Sequence, residues 1–267
     1  MKMSWEEAVV WARTQPEQSD LAKACFFDDP LLGAADRYYA STEWQAIRAV
    51  LPGQPGDALE IGAGRGIASC ALTRDGWRTT ALEPDPSGIV GAGAIRQLAE
   101  AAGLPIRVEQ SWGERLPFEA ESFDLLFCRA VLHHAADLPQ LCAEVFRVLK
   151  PGGTFLAVRE HVISTSEDLP HFLAAHPLHR FYHGENAYLL DQYLAAIRSA
   201  GMECVRIFNP YESDINLYPS TRFDLKTRIA GKLKFVRPTL IPDLALRILG
   251  DRDQTPGRLF SFLSRKP

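Results

Sequence analysis

The chain has no apolar run approaching the roughly 20 residues that cross a bilayer, so no transmembrane segment is expected. It lacks paired cysteines. Its five, Cys25, Cys70, Cys128, Cys142 and Cys204, are scattered, odd in number and without a Cys-x-x-Cys pair. That argues against a disulfide framework and fits reduced thiols in a cytoplasmic protein. The start, Met1 to Val10, carries Glu6 and Glu7 and no basic stretch ahead of an apolar one, so no secretory signal is expected. There is no Ser-His-Asp elbow, phosphate loop, zinc-finger spacing, internal repeat or low-complexity tract.

What is present is ordinary in bulk and uneven in charge. The 267 residues are 46% hydrophobic and 23% charged, enough for one sizeable core with an added subdomain. Residues 219–267 hold eleven Lys and Arg against four Asp, a balance of +7. The net charge of −4 then leaves −11 on the remainder. A basic end can steer an anionic partner or substrate, or simply be a solvated face.

The most informative stretch is Ala58-Leu59-Glu60-Ile61-Gly62-Ala63-Gly64-Arg65-Gly66-Ile67. It reads as a strand, a glycine turn and a helix start. Such a turn lets backbone N–H groups approach a ligand. Structural turns also use glycine freely, so the spacing has to decide. The dinucleotide fingerprint wants a third glycine at position 67, where Ile67 stands. A second apolar run, Thr79 to Leu82, ends in Glu83. A carboxylate at that strand tip can accept both hydrogen bonds of a ribose diol.

Three further stretches follow in order: Leu116-Pro117-Phe118, then Ser122 to Cys128 with Leu132-His133-His134, then Glu144 to Phe155. With the glycine turn they resemble the class I S-adenosylmethionine-dependent methyltransferases of the small-molecule branch. The resemblance covers about residues 55–161. It implies an α/β Rossmann-like fold: a mostly parallel seven-stranded sheet, helices on both faces, the last strand antiparallel. Alternating apolar segments place strands at 57–61, 78–83, 106–109, 123–128, 153–160 and 202–208. Helices are expected at 65–75, 86–102, 137–149 and 187–200, the last capped by Asn186 and stopped by Gly201. Residues 1–50 are expected as a helical cap, with one helix running from about residue 31 to Val50. Residues 51–208 are expected to form the core, 209–256 a proline-broken insertion, and 257–267 the final strand.

The resemblance also implies site residues. Glu60, Gly62, Ala63, Gly64 and Gly66 pass round the methionine and ribose part of S-adenosylmethionine, whose product is S-adenosylhomocysteine. Glu83, followed by Pro84, takes the ribose hydroxyls. The loop of Ser111, Trp112 and Gly113 lies by the adenine, with Trp112 standing where relatives often carry Asp. Trp112 could stack there, and Ser111 or Glu114 could supply the polar contact. Cys128 and Arg129 offer backbone groups to the amino acid end, with His133 close by.

All seven histidines lie within residues 133–183. Three roles compete: a general base, a metal site through the spacings His176-x-x-His179 and His179-x-x-x-His183, or polar lining of a cleft. Pro170 and Pro177 argue against one ligand helix, and no metal is assigned. His161 is the expected base, with His134 and Glu160 as the other catalytic candidates. The function expected is O-methylation of a small molecule, sugar or glycan. The alternatives are a lipid-like or quinone acceptor, with the basic insertion in peripheral contact with a membrane, or a non-catalytic domain that binds S-adenosylmethionine. Nucleic acid is not an expected partner: no Asn-Pro-Pro-Tyr motif is present and the core is acidic. Nothing in the sequence sets the oligomeric state.

Overall fold

The computed structural model describes residues 3–234 and 237–267. Residues 1, 2, 235 and 236, within the segments expected at 1–50 and 209–256, lie outside the described residues. The centre is an eight-stranded sheet of β1 (Asp57–Ile61), β2 (Arg78–Leu82), β3 (Arg107–Glu109), β4 (Phe123–Arg129), β5 (Leu149–Ile163), β6 (Tyr188–Leu189), β7 (Glu203–Phe208) and β8 (Arg258–Arg265). The path is β3-β2-β1-β4-β5-β8-β7, with the two-residue β6 pairing β5 off that path. Strand β8 runs antiparallel to both β5 and β7, and the other pairings are parallel. The expected seven strands are there; β6 is an addition too short to carry a periodic signal.

The apolar runs of β1, β4 and β5 are continuous because both faces of these strands are covered. Along β4, Leu126 and Cys128 join one core with Leu59, Val145, Phe155 and Ile197. Leu125 and Phe127 point the other way, into a second core with Tyr38, Trp44, Ala71 and Leu156. Tyr38 and Trp44 are fully buried there, so they are packing residues.

Several boundaries differ from expectation, and the helix expected at 86–102 spans Ala92–Ala102. The expected helix from about 31 to 50 is two, Leu31–Tyr39 and Thr42–Arg48. Ser41 causes the break: its hydroxyl accepts the Trp44 N–H at 3.1 Å and caps the second helix. The expected helix 187–200 spans Leu190–Ser199, and its N-cap is Leu189, not Asn186. Strand β5 is longer than expected and carries a bulge between Ala157 and Glu160, where Arg159 adopts φ +62°. The bulge breaks the side-chain alternation and directs Arg159 and Glu160 to different neighbours.

The insertion folds as helices Asp214–Leu217, Arg222–Leu233 and Asp243–Arg252. It meets the carboxyl end of β5 through its two ends. Arg159 donates to the Ile215 and Tyr218 carbonyls at 3.2 Å, and His161 Nδ1 lies 2.7 Å from the Gly257 carbonyl.

Candidate active site

The glycine turn is built as a cradle. Gly62 sits at φ +63°, and a Cβ there would lie 2.7 Å from Val131 Cγ2. Gly66 is the N-cap of helix Ile67–Arg74 at φ +79°, with Ile95 closing on it. Neither position accepts a side chain, so glycine is required at both. Ala63 ties the turn to β2 by donating its N–H to the Leu82 carbonyl at 3.0 Å. Glu83, buried at the tip of β2, accepts N–H bonds from Gly64 at 2.7 Å and Asp85 at 3.0 Å. Pro84, between them, is half-buried. A carboxylate has about four acceptor sites, so two remain for a diol. This cradle fits an adenosyl ligand.

Glu60 is the penultimate residue of β1, just ahead of the turn. Its carboxyl is buried and bonded to the Ser69 hydroxyl of the following helix, and burial pushes it up to about 8. This bond ties the helix to β1. In the loop expected beside the adenine, Ser111 Oγ donates to the Arg115 carbonyl at 3.2 Å, and Glu114 accepts the Ala136 N–H at 3.0 Å. Each group keeps acceptor capacity beyond these bonds. Trp112 is 70% exposed, and Gly113 is wedged against Leu141 and Ile61.

At the end of β4, Cys128 is buried and burial raises its thiol. The Arg129 side chain turns away from the cradle. It forms a bidentate pair with the fully buried Glu43, at 2.6 and 3.1 Å, and lies over the rings of Phe26 and Tyr38. Arg159 reaches the same carboxylate at 3.6 Å.

The histidines converge past β4 and β5. The His133 ring lies 4.2 Å from that of His134 and 4.7 Å from that of His161, which lies 5.9 Å from His176. His161 does not fit the part of a base poised near neutrality: burial lowers it to about 3. Glu160 is not an open carboxylate. It is fully buried and accepts the N–H groups of Val131 and His133 at 3.1 Å and faces His133 Nδ1 at 2.7 Å. It positions the loop after β4. His134 is 38% exposed, with Nδ1 2.9 Å from the Gly184 carbonyl. The spacing-based metal pairs are not gathered at this point. His179 and His183 contact each other, 5.4 Å apart, while His176 alone reaches the cluster.

Residues 59–157 match a family model described as a methyltransferase domain. This stretch of the chain is similar to methyltransferase domains. The chain is 35% identical over 99 residues to a ubiquinone biosynthesis O-methyltransferase of Methylobacterium sp. strain 4-46, covering 37% of this chain and 39% of that protein. It is 33% identical over 149 residues to an uncharacterized methyltransferase of Mycobacterium sp. strain KMS, covering 55% of this chain and 53% of that one. It thus covers about half or less of these relatives' length. The geranyl diphosphate C-methyltransferase of Streptomyces coelicolor A3(2), solved with Mg2+, geranyl-S-thiolodiphosphate and S-adenosylhomocysteine, shares the fold with a TM-score of 0.62. At 14% identity, with 91% of this chain and 84% of that one covered, this likeness concerns fold alone.

In this methyltransferase fold, sequence reasoning missed two carboxylates as site residues. Glu185 is buried among the histidines, and its signal was an acid inside the histidine-rich window. Glu43, on an N-terminal helix, gave no signal. The N-terminal helix Trp5–Thr14 also spans the site region. Glu6 meets Ser87 in the loop beyond Glu83, Trp5 packs on Tyr182 at 4.7 Å, and Tyr182 bonds Glu185. Among the described residues, no helix is long and apolar enough to cross a membrane.

Proposed function

We propose that the chain transfers a methyl group from S-adenosylmethionine to an oxygen of a small hydroxylated acceptor, a sugar or glycan unit included. The observation that supports this is the continuity of cradle and cluster. Val131 closes on Gly62, and two residues later His133 enters the group of His134, His161, His176 and Glu185. The bound cofactor supplies an electrophilic methyl on a sulfonium. The glycine turn and Glu83 hold it, and the histidine cluster holds the acceptor hydroxyl opposite, so positioning carries much of the rate. Incubating the chain with S-adenosylmethionine and a panel of hydroxylated acceptors tests it, with product mass and methyl position as readouts. A methyl found on nitrogen or carbon overturns the oxygen assignment. Saturable cofactor binding with no turnover on any acceptor favours a non-catalytic domain.

A second reading, a lipid-like or quinone acceptor, is favoured by a separate observation. Phe223, Leu233, Leu240, Leu244, Ile248 and Leu249 are exposed on the insertion, as are Arg228, Lys232 and Arg247. An apolar and basic face of this kind suits an anionic bilayer surface. Co-sedimentation with vesicles containing anionic lipid, lost on Leu240→Ser with Leu244→Ser, is its expected result.

A further inference from the structure

Glu185 is ringed by imidazoles. Its Oε2 lies 3.7 Å from Nε2 of His133 and 3.9 Å from Nε2 of His134. Its Oε1 meets the Tyr182 hydroxyl and lies 3.8 Å from Nε2 of His176. The donor atoms of His133, His134 and Glu185 lie within 4.8 Å of one another, as do those of His161, His176 and Glu185.

The proton positions show what this arrangement lacks. The Gly184 carbonyl can only accept, so His134 donates from Nδ1 and keeps a lone pair on Nε2 in its neutral form. The Glu160 carboxylate takes the Nδ1 hydrogen of His133 in the same way, leaving its Nε2 lone pair. Both lone pairs then face Glu185 Oε2, which is buried and has no hydrogen-bond donor of its own. Three electron-rich atoms this close repel one another unless a proton or a metal cation lies between them. Histidines pinned at one nitrogen by a carboxylate or a backbone carbonyl, with the other nitrogen free, are oriented as metal-binding histidines are.

We propose that His133, His134 and Glu185 bind a divalent transition-metal ion of the zinc type. Two histidines and a carboxylate form a catalytic zinc set, in which a further coordination position stays open. Bonds of about 2.0–2.2 Å need donors about 3.4 Å apart, so the two imidazole-to-carboxylate gaps of 3.7 and 3.9 Å close by a few tenths of an ångström around the ion. His176 supports Glu185 from its other oxygen. The open position is where an acceptor oxygen would lie, and a hydroxyl bound there loses its proton more readily. Only that last link rests on the proposed O-methylation; the metal site stands without it.

The experiment uses the untagged full chain, stripped with chelator and titrated with Co2+ and with Zn2+. Expected are one tightly bound equivalent by calorimetry and elemental analysis, visible Co2+ absorption of a low-coordinate N/O site, and displacement by Zn2+. Glu185→Gln and His134→Asn should each weaken binding at least tenfold, while His179→Ala with His183→Ala leaves it unchanged. His134 is half-exposed, so His134→Asn is expected to fold as the wild type does, which its melting curve checks. No saturable binding by the wild type with metal in molar excess overturns the proposal. So does binding that survives in both Glu185→Gln and His134→Asn, or that disappears with His179 and His183. Because none of these readouts uses methyl transfer, failure of the enzymatic reading leaves the result standing.

Discussion

His133 Nδ1 lies 2.7 Å from Glu160 Oε2, and both side chains are buried. Glu160 also accepts the Val131 and His133 N–H groups at 3.1 Å, so one carboxylate on β5 sets the path of the loop that leaves β4. That loop carries Val131 to Gly62 at the cofactor cradle. Glu160→Gln puts an amide in place of an all-acceptor group. It should destabilise the chain by about 1–3 kcal/mol, the cost of leaving buried donors unpaired. It should also weaken S-adenosylmethionine binding, because the loop loosens. Thermal melts and calorimetry check both; a variant with wild-type melting temperature and affinity would remove Glu160 from its positioning role.

Glu43 pairs with both Arg129 and Arg159, and it is fully buried. Breaking a buried pair from one side leaves uncompensated charge. Glu43→Ala should therefore cost about 3–5 kcal/mol in denaturant unfolding. A loss under about 1 kcal/mol, the worth of a surface pair, would show that the arginines find water instead.

The cradle makes a graded prediction about the cofactor. Glu83→Ala should weaken binding of S-adenosylmethionine and S-adenosylhomocysteine at least several-fold, since its carboxylate holds Gly64 and offers the remaining acceptor sites. Gly62→Ala should do so too, because its Cβ would meet Val131 at 2.7 Å on a backbone at φ +63°. Calorimetry on both variants, with folding confirmed by circular dichroism, measures this. Equal affinities across wild type and both variants would place the cofactor elsewhere.

Glu60 predicts a pH dependence. Its folded value, pushed up to about 8 by burial, lies above its ordinary 4.5. The stability contributed by its neutral form is complete below about 4.5, the unfolded value, and is lost as pH rises to about 8. Glu60→Gln keeps a neutral group at every pH. The variant's stability should therefore fall less than the wild type's between pH 5 and 8 in matched denaturant titrations. Parallel curves would mean that Glu60 ionises in place with its ordinary value.

The sequence by itself determined the strand-turn-helix at Glu60 to Ile67, the acid at the tip of β2, and the order of strands. These are local: an apolar run followed by glycines has few other solutions, and Glu83 follows its run directly. The final strand was legible after the proline-broken insertion, while its antiparallel setting was what the resemblance implied. Only the tertiary structure decided which polar groups are free. Glu60 and Ser111 were legible as residue types in the right place, but their bonds to Ser69 and the Arg115 carbonyl are set by neighbours in three dimensions. The bulge at Arg159 left no periodic trace, yet it places Glu160 under His133. The histidines were visible as a cluster in sequence; that His133, His134 and His176 share one carboxylate, Glu185, came from folding the segment after β5 back over the sheet. Spacing describes neighbours along a helix or strand, whereas a buried charge finds its partners only when separate elements pack.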